Sequence, residues 1–129
     1  MPCAKRGFSS PSLAGRLPRR SGKEPSRVKE YDIFVPLYYN DGAPVEPRKL
    51  RDLQVRLLEY FQGFTFFPQP NEGVWQAGDV TYRDEIVVYR VVTAKVRPAR
   101  RFLRQLKEEL KRVFRQEEIF IVERNVEVL

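Results

Sequence analysis

Val80-Thr81-Tyr82-Arg83-Asp84-Glu85-Ile86-Val87-Val88-Tyr89-Arg90-Val91-Val92-Thr93 is the stretch on which the reading of this chain turns. Apolar residues recur on both alternating faces, Ile86, Val88 and Val92 on one and Val87, Tyr89 and Val91 on the other. β-branched and aromatic side chains fit a pleated surface, and a run apolar on both faces belongs in the middle of a sheet. Just before it, Ala77-Gly78-Asp79 is a turn. Before that turn, Val74-Trp75-Gln76 continues a short strand, Phe64 to Phe67, that Pro68-Gln69-Pro70-Asn71-Glu72-Gly73 breaks.

Further back, Pro47 opens a helix, and Glu46 stands where an acid suits its positive end. Leu50, Leu53, Leu57, Leu58 and Phe61 form one apolar stripe, and Gly63 is expected to close the helix as its C′ glycine. Asn40-Asp41-Gly42 is a turn, preceded by a strand over Tyr31 to Tyr39. Pro36 cannot donate to a ladder, so that strand needs a free edge or a bulge there. Forward of the central strand, Pro98 starts a second helix with Phe102, Leu103, Leu106, Leu110, Val113 and Phe114 as its buried stripe. Glu118 to Val122 is the next strand, which Val126 to Leu129 continues or supplements as an edge. The order β-α-β-β-α-β predicts an α+β domain of the ferredoxin-like kind, an antiparallel sheet with two helices on one face.

The predicted domain covers residues 30–129, behind a basic N-terminal tail at 1–29 rich in Ser, Pro, Gly and Arg. Such a segment buries too little surface to offset its ordering entropy, so disorder is expected there. No run approaches the ~20 apolar residues of a membrane helix, and no apolar region follows Arg19-Arg20. Cys3 is the one cysteine, which suits a reducing, cytoplasmic setting. The absence of histidine removes the usual zinc ligand sets and the Ser-His and Cys-His nucleophile pairs. No cofactor or metal is expected; a carboxylate-only site would lack EF-hand spacing.

A net charge of +7 invites a nucleic-acid reading, but the charge is unevenly placed. Eight of the 24 bases and only Glu24 of the 17 acids fall in residues 1–29, so 30–129 holds 16 of each. Within that neutral domain, nine bases against Glu108 and Glu109 crowd Lys95 to Arg115. Such a helix face suits phosphates or an acidic partner, and equally a plain solvated surface.

The candidate ligand-binding residues are Thr65, Gly73, Trp75, Tyr82 and Asp84. A lone Trp behind a glycine, near a Tyr and an acid on the next strand, suits a pocket with one flat apolar wall. The plainer alternative has Gly73 in a turn and Trp75 filling the core or a dimer interface. Asp84 and Glu85 point to opposite faces, so they cannot form a catalytic pair. Either can meet Asp32 or Glu123 as a proton shuttle, or Arg83, Arg90 or Arg124 as a plain ion pair. Tyr31, Tyr38, Tyr39, Tyr82 and Tyr89 put aromatics on strands, as RNA-binding sheets do, but the basic-glycine-aromatic signature of such sheets is absent.

Tyr-Asp-Ile-Phe-Val-Pro at 31–36, Asn40-Asp41-Gly42, Phe61 to Thr65, Gly73-Val74-Trp75 and Tyr82-Arg83-Asp84 together resemble a group of short bacterial proteins of no established activity. In that group the segment after the first helix often reads Phe-Gly-Gly-x-Thr; here Gln62 stands where the first glycine would be. The resemblance covers the domain, implies the ferredoxin-like fold and implies no activity. The first functional expectation is therefore a binding or regulatory module that forms a homo-oligomer through its sheet, by Val87, Tyr89 and Val91 or, in the opposite register, Ile86, Val88 and Val92. It would take a small molecule or a protein partner. The alternatives are a small cofactor-free isomerase or oxygenase of the dimeric α/β-barrel type, and nucleic-acid binding through the tail and second helix. No membrane association is expected.

Overall fold

The computed structural model describes residues 26–129. The chain runs β1 (Ser26–Pro36), α1 (Pro47–Phe61), β2 (Thr65–Ala77), β3 (Val80–Thr93), α2 (Val96–Val113) and β4 (Ile121–Val128). The strands form one sheet in the order β2-β3-β1-β4, with every neighbouring pair antiparallel. This is the ferredoxin-like arrangement, with β1 and β3 in the centre. Residues 1–25 of the expected tail lie outside the described residues. Residues 26–29, assigned to the tail from composition, are instead strand: Ser26 to Lys29 pair with Val128 to Asn125 of β4. Only Val28 of that tract is apolar, and it is the backbone ladder that recruits the rest.

One face of the sheet carries the core. Tyr31, Ile33 and Val35 of β1 and Val87, Tyr89 and Val91 of β3 alternate with period two and are buried, packed with Leu53, Leu57 and Phe61 of α1 and Ala99, Leu103, Leu106 and Leu110 of α2. Phe66 stacks on Tyr89 at 4.6 Å, and Gln54 of α1 donates to the Tyr89 hydroxyl at 2.9 Å, so one β3 residue joins β2, β3 and α1. Leu58 and Val113, expected in the buried stripes, are exposed, because each helix presents a narrower stripe than its apolar content suggests. Burial this complete means that Leu57→Ala or Leu106→Ala costs about 2–5 kcal/mol.

The proline and glycine signals resolve individually. Phe34 donates to Phe120 O and Leu37 to Glu85 O, so Pro36 faces the side on which β4 has already ended, the free edge its missing N–H requires. Pro68 to Pro70 do not end β2, which runs through; they are taken up as a register shift between Phe67 and Asn71. Pro98 is the third residue of α2 rather than its first, still within the first turn, where a missing N–H costs no helix bond. Glu46 is the α1 N-cap, but its carboxylate accepts the Tyr39 hydroxyl instead of a helix N–H. Gly78, at φ +61 in the β2–β3 connection, supplies the positive φ a two-residue hairpin loop needs at its first position.

Gly63 is not the residue that closes α1. Gln62 takes the left-handed conformation, φ 63, and donates to Leu58 O at 2.8 Å. A side chain with a Cβ is disfavoured there by about 1–2 kcal/mol, partly offset by the greater unfolded-state freedom of glycine. Gln62→Gly is therefore expected to stabilise the domain by about 0.5–1 kcal/mol, read as a raised urea midpoint with unchanged slope.

Candidate functional site

β1 ends opposite Ile86, but β2 and β3 run on. Residues 72–77 and 80–85 therefore form a two-stranded arm that projects past the rest of the sheet. Gly73 lies opposite Asp84 and Trp75 opposite Tyr82. Residues opposite each other share a face, and so do residues two apart, so these four make one cluster. The Trp75 and Tyr82 rings stack at 4.4 Å with 16° between their planes, and Trp75 Nε1 donates to Asp84 Oδ2 at 2.9 Å. Thr65, the fifth expected residue, does not join them. It pairs with Arg90, eight residues along β3 from Tyr82, or roughly 26 Å at strand rise.

Trp75 is 45% exposed and Tyr82 38%, and neither belongs to the core. Trp75 therefore does not fill the interior. A Cβ placed on Gly73 would meet Asp84 O at 3.8 Å and Ile86 Cδ1 at 3.9 Å, ordinary contacts, so nothing within the chain requires a glycine there.

The expected ion partners are distributed differently. Asp84 bonds Trp75, while Arg83 goes to Glu72 at 3.1 Å. Asp32 accepts two bonds from Arg90, at 2.8 and 3.0 Å, and a third from Arg124. Glu30 meets Arg124 at 3.0 Å and Arg90 at 3.5 Å. Glu123 pairs through both oxygens with Arg100, each at 2.7 Å. The shuttle between Asp84 or Glu85 and Asp32 or Glu123 thus loses its geometry, because arginines already hold both distal carboxylates. Burial pushes the Asp32 carboxyl upward, but the Arg90 and Arg124 bonds outweigh it and hold the group below its usual range. Arg100 brings Glu123 down to about 2. Neither can pass a proton near neutrality.

Period two also decides which sheet face is open. Val87, Tyr89 and Val91 lie under the helices, so the first of the two expected association surfaces is core. Ile86, Val88 and Val92 lie on the other face, with Phe34, Phe67 and Val122 beside them across the strands. The Asp32, Glu30, Arg90 and Arg124 quartet occupies the middle of that face, and the Arg90 guanidinium lies 4.9 Å over the Phe67 ring. Tyr31 and Tyr89 are buried on the helix side, so the open face lacks the row of tyrosines that a base-stacking platform would need. The sequence singles out Asp32, Arg90 and Arg124 only as possible partners of Asp84 or Glu85. The signal for the quartet was the alternation Glu30, Asp32 against Arg90 on strands of equal parity, which acquires meaning only once their register is known.

Among the described residues, no group of three or more His, Cys, Asp and Glu is placed to hold a metal ion, and no helix is long and apolar enough to cross a membrane. No family model and no curated protein matches the chain. Among solved structures it is similar to a phage SAM lyase in complex with S-methyl-5′-thioadenosine, at 16% identity and a TM-score of 0.61, over 87% of this chain and 89% of the lyase chain. That likeness is one of fold.

The carboxylates make a pH prediction. Asp32 and Glu123 have depressed pKa values in the folded state, so their contribution is complete above the unfolded values near 4 and is lost as pH falls toward the folded values, about 2 for Glu123. Urea midpoints should be level from pH 7 to about 5 and fall between about pH 4 and 2. In Asp32→Asn the midpoint at pH 7 should drop by the equivalent of about 1–3 kcal/mol, and the acid limb should flatten.

Proposed function

We propose that this chain is a small binding module that associates with copies of itself through the open sheet face and the β2–β3 arm, and that it holds a ligand beside Trp75, Tyr82, Asp84 and Gly73. The arm carries this reading. A two-stranded ribbon is marginal in water unless something packs on it. This one nevertheless displays Trp75 and Tyr82, together with Val80 at 51% exposure on the same face. Apolar surface of this extent, continuous with Phe67, Val88 and Val122, favours a covering partner. A second copy is the occupant that fits best. The quartet in the middle of the face has two acids and two bases, so like surfaces meet without net repulsion. On the arm, the second Asp84 oxygen is left to accept from a ligand N–H or O–H, and Gly73 opposite leaves room above the backbone.

The test is native mass spectrometry and light scattering of the full-length protein. The expected mass is a multiple of 15.3 kDa, and Val88→Glu, which places a charge in the middle of the face, should return it to the monomer without unfolding it. Wild-type protein that remains monomeric at about 50 μM, a concentration at which interfaces of standard size are populated, defeats the proposal.

A second reading is an enzyme, favoured by the fold likeness to the phage SAM lyase over 87% of this chain. Incubation with S-adenosylmethionine, followed by chromatography for S-methyl-5′-thioadenosine, decides it. Release of the thioether above the uncatalysed rate, reduced at least about tenfold in Asp84→Asn, supports the reading and places it at the arm. No release rejects this chemistry and leaves the binding module standing.

A further inference from the structure

On the helix side of the sheet, between α2 and the edge strand β4, lies an open groove of about 430 Å³ lined by Tyr31, Arg100, Leu103, Arg104, Ile121 and Glu123. Its floor holds an anomaly. Tyr31 is 2% exposed, and its hydroxyl makes no hydrogen bond of good geometry. A buried hydroxyl without a partner carries an uncompensated desolvation cost, and native proteins rarely retain one without use. Glu123 and Arg100 lie close to it but are bonded to each other.

The wall above is unusually cationic. α2 has no acid in its first turn, although the helix dipole favours acids there and disfavours cations. Arg97, Arg100, Arg101 and Arg104 instead crowd its N-terminal half around an adjoining recess. Arg100 is neutralised by Glu123, Lys107 by Glu118 and Lys111 by Glu108, whereas Arg97, Arg101 and Arg104 have no acid partner among the described residues. Like charges one turn apart weaken a helix. An anion seated among them removes that penalty.

We propose that the α2–β4 groove binds the phosphate of a small phosphate ester, held by Arg104 and Arg100, with the apolar part of the ester lying along Leu103 and Ile121. A phosphate dianion competes with the Glu123 carboxylate for the Arg100 guanidinium, whose planar fork matches phosphoryl oxygens as well as carboxylate oxygens. Glu123, released, is the nearest acceptor for the Tyr31 hydroxyl, which then gains the bond it lacks. Burial first, and then the Glu123 carboxylate, raise that hydroxyl to about 12, so it remains a donor at neutral pH. A continuous polyanion suits the groove less well, because the Glu123 carboxylate forms the opposite wall.

The experiment is calorimetric titration of the full-length protein with phenyl phosphate, inorganic phosphate and phenol, repeated on Arg104→Ala and Tyr31→Phe. Phenyl phosphate should bind at least about tenfold more tightly than inorganic phosphate, and phenol not measurably. Arg104→Ala should weaken phenyl phosphate by about tenfold or more, the scale of a lost charge-assisted bond. Tyr31→Phe should weaken it about threefold to tenfold while its urea midpoint stays level or rises, since no native bond is lost. Four results overturn the proposal. They are no phenyl phosphate binding at millimolar concentration, binding indifferent to Arg104→Ala, a lowered urea midpoint in Tyr31→Phe, and Arg104-dependent binding of a DNA duplex but not of phenyl phosphate.

Discussion

The carboxylate of Asp32 is the one charge this sheet cannot leave unpaired. It sits in the central strand at 5% exposure and is held by Arg90 from β3 on one side and Arg124 from β4 on the other. Those two strands reach β1 from 58 and 92 residues away. Satisfying Asp32 therefore requires both long-range pairings in one register. A slip of a single residue would turn Asp32 toward the helices and Ile33 toward solvent. The core on one face and the quartet on the other thus specify the same register from opposite sides. A buried ion pair is weak evidence of net stability, but here its geometry discriminates between registers.

The elements legible in the sequence were those with local causes. The valine-rich run over residues 80–93, the Leu53, Leu57 and Phe61 stripe, and the Asn40-Asp41-Gly42 turn, where Ala43 donates to Asp41 Oδ1 at 2.9 Å, each carry their own signal. What was missed depends on partners. Residues 26–29 show no strand pattern, and only the β4 ladder makes them one. Gln62 gives no local sign of a left-handed residue; the glycine beside it drew the expectation because its conformational freedom is the usual solution. The candidate site was legible where it rested on a hairpin, since a two-residue loop puts Gly73 opposite Asp84 and Trp75 opposite Tyr82. Thr65 was misplaced because the Pro68 to Pro70 segment is a register shift within a long strand rather than a loop folding back on itself. The groove under α2 was invisible, since nothing local links Tyr31 to Glu123 and Arg104.

Charge balance follows the same division. The domain as a whole is neutral, yet half of its 16 acids are committed to ion pairs, among them Glu30 and Asp32 on the open face, Glu123 with Arg100, Glu109 with Arg56, and Glu118 with Lys107. At the start of α2 this pairing leaves Arg97, Arg101 and Arg104 without an acid partner among the described residues. A helix face that reads from sequence as a solvated stripe becomes, once pairs are assigned, a localised excess of positive charge beside a half-apolar groove. Net charge could not have shown this, because neutrality of the sum says nothing about where the unpaired members stand.

The two proposed surfaces lie on opposite sides of the sheet, and β1 contributes to both. Tyr31 points into the α2–β4 groove while Glu30 and Asp32, its chain neighbours, belong to the open face. On β4, likewise, Glu123 lines the groove and Arg124 completes the quartet. A ligand that draws Arg100 away from Glu123 therefore acts on a strand whose next residue helps to bind Asp32 on the association face. Alternation within a strand is what allows the two sites to be occupied together. It also makes β4, an edge strand whose one strand neighbour is β1, the element that links the two proposed sites.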